Sequence, residues 1–117
     1  IGQNLIGYSD TEIRKFMKEN RKEMNIDNVR NTMFSYLKYS DNFDSQTILF
    51  FLNSDSVCSS MRVICDTAMK AVKIKELDEK YRKTGETSWI DSHGWKNYLI
   101  TFHDEKWSSI ITYELEK

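Results

Sequence analysis

Polar and apolar positions change rhythm several times along the chain, and each change predicts an element. In Tyr8-Ser9-Asp10-Thr11-Glu12 the residues are polar, and then Ile13, Phe16 and Met17 fall on one helical face. Ser9 can accept from the backbone N–H of Glu12 while the Glu12 carboxylate accepts from the N–H of Ser9, a capping box. Tyr8 before the cap is placed to pack on Ile13 as a hydrophobic staple. The spacing therefore predicts a short helix from Asp10 to Asn20, with Arg14, Lys15, Lys18 and Glu19 on its wet side.

Periodicity fades between Arg21 and Met33, where Asn and Asp recur, and that segment reads as a loop with a turn of helix at most. Three strand candidates follow: Phe34 to Ser40, Gln46 to Asn53 and Ser56 to Cys65, separated by turn-forming Asn, Asp and Ser. The middle one is apolar on both faces, which suits a central strand. In the third, Val57, Ser59, Met61, Val63 and Cys65 alternate with Cys58, Ser60, Arg62 and Ile64. Helical spacing returns at Ile74, Leu77 and Tyr81, with Gly85 as a C-terminal stop. Thr87 to Asp91, Lys96 to His103 and Lys106 to Glu116 are three further strand candidates, joined by the hairpin-length links Ser-His-Gly-Trp and Asp-Glu.

The two halves resemble one another. Residues 48–63 and 97–112 align without a gap at an offset of 49, with Ser59-Ser60 over Ser108-Ser109. A helix and a shorter strand precede each hairpin. The pattern predicts an α+β domain of about six mostly antiparallel strands with two helices on one face, open to division into helix-plus-three-strand pseudo-repeats at 8–65 and 70–116.

Composition narrows the functional classes. A chain of 117 residues is the size of one domain, and its formal charge of -1 gives no field to attract nucleic acid or anionic lipid. Six Lys or Arg from Lys70 to Lys83 make the second helix basic, yet Glu76, Asp78 and Glu79 interrupt them and no nucleic-acid recognition motif accompanies them. No run approaches the roughly 20 apolar residues of a membrane span. The chain begins at Ile1, which suggests a removed upstream segment: a secretory or lipoprotein leader, a tag or another domain. Cys58 and Cys65 are seven residues apart, so in one unbroken strand they lie about 23 Å apart on opposite faces and cannot form a bridge. Two unpaired thiols are expected, with Cys65 packed and Cys58 on the other face.

Candidate chemistry is sparse. A glycine before a helix can cradle phosphate, but Ser9 and Glu12 occupy those donors here and Asp10 adds negative charge. His93 lies in a turn and His103 ends a strand, without a nucleophile motif or a metal-binding companion. The pairs Asp10/Glu12, Asp78/Glu79 and Asp104/Glu105 read as solvated charge. The expectation is no catalytic residue, no metal and no cofactor. Trp89, Trp95, Tyr98, Trp107 and Tyr113 cluster in the C-terminal strands and are the candidate protein-binding residues, unless their rings complete the core.

The residues Ile6 to Asn20, with LFFL, SSMRVICD, KIKELDEKYRK and SWID...KNYLITF further on, resemble the small secreted lipoproteins of unassigned function of Bacteroidetes. The opening Gly-x-Ser-x-x-Glu-Ile-x-x-x-Met is also similar to the first helix of BamE-like outer-membrane lipoproteins and to the repeats of beta-lactamase inhibitor protein. The first resemblance implies export to a periplasmic, cell-surface or secreted location, either lipid-anchored upstream of Ile1 or soluble, and no known enzyme activity; a cytoplasmic location is the alternative. The expected function is thus a non-enzymatic cell-envelope or secreted interaction domain with an unknown protein partner. The alternative is an inhibitor or immunity type protein that blocks an enzyme.

Overall fold

The computed structural model describes residues 4–27, 35–42, 45–93 and 95–116. Phe34, Phe43, Asp44 and Gly94 of the expected strand and turns, and residues 28–33 of the expected loop, lie outside the described residues. The elements run α1 (Asp10–Asn20), β1 (Met24–Asp27), β2 (Tyr36–Asp41), β3 (Gln46–Leu52), β4 (Cys58–Asp66), a 3₁₀ turn (Thr67–Met69), α2 (Lys70–Lys80), β5 (Arg82–Gly85), β6 (Ser88–His93), β7 (Lys96–Asp104) and β8 (Ser108–Leu115). The strands form one antiparallel sheet in the order β1-β2-β3-β4-β8-β7-β6-β5. Each half is a helix followed by a four-strand meander, and the β4·β8 ladder joins the halves.

The α+β class with an antiparallel sheet is as expected, but the described residues form eight strands, not about six. β1 falls in the segment read as a loop. Met24 and Ile26 do alternate with Asn25 and Asp27, but four residues rich in turn formers give too short a signal. β5 was read as the tail of the second helix. That helix stops at Lys80, because Tyr81 turns extended and lays its ring edge-on against Tyr113, centroids 6.4 Å apart. Tyr81 reaches the core as well from a strand start as from a fourth helical turn, so the spacing could not separate the two. Gly85 is no helix stop: it ends β5, where an added Cβ would stand 2.7 Å from the Ser88 hydroxyl.

The first helix forms as read, with both halves of the capping box present. Tyr8, however, makes its ring contact with Phe16, edge-on at 6.4 Å. Gly7 takes φ +96, a conformation that costs only glycine little. Its N–H donates to Cys58 O, the N–H of Cys58 donates to Tyr8 O, and the N–H of Asp10 donates to Ser56 O. The helix start is thereby sewn to the turn between β3 and β4.

Ile13 and Met17 of α1 and Leu77 of α2 share one core with alternate residues of the sheet, among them Leu37, Ile48, Phe50, Met61, Val63, Trp89, Ile100, Ile111 and Tyr113. Both cysteines also face this core, Cys58 and Cys65 each 2 % exposed and unpaired. The opposite-face placement of Cys58 fails because β4 is not regular. Phe51 pairs with Ser60 and Leu52 with Cys58, so Ser59 is an extra residue, a β-bulge that resets the alternation. Beyond it Cys58 turns inward, and Ser59, expected beside Met61, is exposed.

The 49-residue offset also slips by one. It lays Met61, in the core, over Ile110, and Val63 over Thr112, both on the other face. An offset of 50 superposes Met61 on Ile111, Val63 on Tyr113 and Phe50 on Ile100, all core residues. A slip of one residue exchanges the faces of a strand.

Candidate interaction surface

Because α1 and α2 pack against one face, the side chains pointing the other way are met by no described helix. Cross-strand register places Tyr36, Phe51, Ser60, Glu114, Leu99 and Ile90 in one row and Lys38, Leu49, Arg62, Thr112, Thr101 and Ser88 in the next. A third row holds Ser40, Thr47, Ile64, Ile110 and His103. Its apolar residues form two groups, Tyr36, Leu49, Phe51, Ile64 and Ile110 on one side and Leu99 and Ile90 on the other, with Ser60, Arg62, Thr112, Glu114 and Thr101 between them. Most of these side chains are half-buried by their neighbours, and Ile90 is 5 % exposed.

The face spans six strands, β2 to β6 in spatial order. At strand spacing it measures about 29 Å by 23 Å, on the order of 700 Å². One partner in a standard interface contributes about 800 Å². A shallow groove at its N-terminal end is lined by Tyr36, Lys38, Thr47, Leu49, Phe51 and Ile64. There the rings of Tyr36 and Phe51 lie 6.3 Å apart, and the Arg62 guanidinium sits 5.9 Å from the Phe51 centroid. Lys38 reaches Asp27 at 3.8 Å, whereas Arg62 and, on the edge strand, Arg82 are exposed without an ion pair among the described residues.

The five aromatic candidates are not brought together. Trp89, Tyr113 and Tyr98 are 0 %, 1 % and 8 % exposed, within the core face. Trp95 and Trp107 are 89 % and 79 % exposed, but they sit in the turns at opposite ends of β7, each with the ammonium of a neighbouring lysine over its ring. Trp89 is held by its indole Nε1, which donates to Asp78 Oδ1 at 2.9 Å. Asp78 is therefore a link from helix to sheet, not the solvated charge expected. The sequence did carry a sign of the open face: Leu49 and Phe51 make the second apolar side of β3, and that strand is interior without being in the central pair.

Both histidines have an acid in reach. His93 Nε2 lies 3.0 Å from Asp91 Oδ2, which also accepts from Asn4 Nδ2 at 3.1 Å, and His103 Nε2 lies 3.3 Å from Glu105 Oε1. Both rings are exposed, and neither has a hydroxyl or thiol hydrogen-bond partner among the described residues. Neither lines the cavity between α2 and the sheet. That cavity is about 20 Å³, room for one water and not for a carbon-framed ligand.

Other titratable groups are set by burial. Desolvation pushes the Cys58 thiol up to about 11, raises Cys65, and raises the Tyr81 and Tyr113 phenols strongly. A thiol so held stays protonated and is a poor nucleophile or ligand. At the surface, the hydrogen bond from the Lys70 ammonium, helped by Ser109, holds the Asp104 carboxyl below its usual range. The described residues contain no group of three or more His, Cys, Asp or Glu placed to hold a metal. No described helix is long and apolar enough to cross a membrane. Comparison with protein-family models, with curated proteins and with solved structures finds no match to this chain.

Proposed function

We propose that this chain is a non-enzymatic interaction domain of the cell envelope or secreted space, and that it engages a protein partner through the open face of its sheet. The observation that carries the reading is a patch of Tyr36, Leu49, Phe51, Ile64 and Ile110, with Leu99 and Ile90 as a second apolar spot farther across the same face, that no described helix covers. These side chains are half-buried by their neighbours, and a partner laid over the face would complete their burial. Arg62 lies in the middle of the face beside Phe51 and Arg82 at its edge, which favours a partner that brings acidic groups to both places. Export rests on the resemblance of the sequence to secreted lipoproteins.

The test compares capture from envelope extracts by the wild-type chain and by two variants of unchanged fold. Leu49→Asp with Leu99→Asp is expected to abolish capture of a specific partner, and Trp95→Ala with Trp107→Ala to leave it intact. Loss of capture confined to the tryptophan variant would remove the sheet face from consideration. An inhibitor or immunity type protein would use the same face, and it is distinguished by nanomolar or tighter binding that stops the partner's catalysis.

A further inference from the structure

The cavity under α2 contains a donor that the protein itself does not satisfy. Gln46 opens β3 and lines this cavity; the residue is 8 % exposed, and its amide nitrogen has no hydrogen-bond partner among the described residues. On the opposite wall Lys73 is 6 % exposed, an unusual place for a lysine, with its stem lying along the core. Its ammonium stands 3.8 Å from Glu76 Oε2, too far for a direct hydrogen bond. Lys80, Tyr81 and Tyr113 complete the polar lining.

A buried donor without an acceptor is destabilising by about 1–3 kcal/mol, and native proteins seldom leave one so. A charged pair held beyond hydrogen-bond distance is commonly bridged by water. The space is about 20 Å³, above the roughly 10–15 Å³ that one water requires. We propose that this cavity is a binding site for a single ordered water, which accepts from Gln46 Nε2 and joins the Lys73 ammonium to the Glu76 carboxylate. Hydrogen-bond chemistry selects water over a halide: only water can both accept from the Gln46 and Lys73 donors and donate to the Glu76 carboxylate. The bound water completes the polar contact between α2 and the start of β3.

The experiment is nuclear magnetic resonance on the intact chain, reading Overhauser contacts between the Gln46 side-chain amide protons and water. A contact from a water resident for nanoseconds or longer is expected. Gln46→Leu, which removes the reporting protons, is read by stability alone and is expected to raise the unfolding constant roughly fivefold, the loss of one satisfied buried hydrogen bond. Absence of a long-lived contact in the wild-type chain overturns the proposal whatever the variant does. So does bromide seated in the cavity of crystals grown in bromide, since the occupant would then be an anion.

Discussion

The indole nitrogen of Trp89 and the carboxylate of Asp78 meet at 2.9 Å, and through them β6 is fastened to α2. Trp89 is fully buried, while Asp78 is partly exposed and has Lys83 at 3.6 Å. Asp78→Ala is expected to strand a buried N–H and to cost about 1–2 kcal/mol in urea unfolding. Asp78→Asn keeps an acceptor at the same position and should cost less. Equal losses from the two variants would show that the charge, not the acceptor, is what matters.

At the other helix, Ser9 accepts from the N–H of Glu12, and the Glu12 carboxylate, held below its usual range by that box, accepts from the N–H of Ser9. Ser9→Ala should lower stability by about 1 kcal/mol. Binding of a partner to the sheet face should not change, because α1 packs on the opposite face of the sheet. Loss of binding at retained stability would make this segment a site.

The three tryptophans should separate in fluorescence. Trp95 and Trp107 are exposed and open to acrylamide, whereas Trp89 is sealed in the core. Replacing both exposed residues with Phe should leave a blue-shifted emission that resists quenching until the chain unfolds.

Alkaline pH should unfold the protein. The folded pKa of Cys58 is raised from 9.0 to about 11, and Cys65, Tyr81 and Tyr113 are raised as well. Unfolded thiols and phenols ionise first, so this stability is present below pH 9 and is lost as pH rises toward 11 and beyond. Urea midpoints measured from pH 8 to 11 should fall steadily. Cys58→Ala with Cys65→Ala should remove the part of the slope that begins near pH 9, and alkylation of either thiol in the native chain at pH 8 should be slow.

The sequence was most legible where a signal is local. Ser9 and Glu12 announce their cap within four residues, and six strands carry enough alternation to be placed within a residue or two at most ends. It was least legible where one residue changes a face. Ser59 looks like any strand residue, yet as a bulge it turns Cys58 inward, and the same blindness to register placed Met61 over Ile110. The aromatic residues misled for a related reason: Trp89 and Tyr113 alternate into the core, whereas Trp95 and Trp107 stand in turns, and nearness in sequence does not distinguish them. Leu49 and Phe51 were legible as a second apolar side, but only the position of both helices on the other face shows that no helix covers it.

Six of the eight strands pair with the next along the chain, so each meander can form by local closure. The β4·β8 ladder is different: it joins Ser60 to Glu114 and Asp66 to Ser108, residues far apart in sequence. Closing such a loop carries an entropic penalty that a hairpin does not face. The ladder is therefore a seam that closes late in folding. Until it does, each meander presents a bare strand edge, and the complementary edge of a second chain is as good a match as its own. Weakening the seam at Val63 or Ile111 should thus favour exchange of halves between molecules, and the product would be an intertwined dimer whose two sheets are each built from both chains.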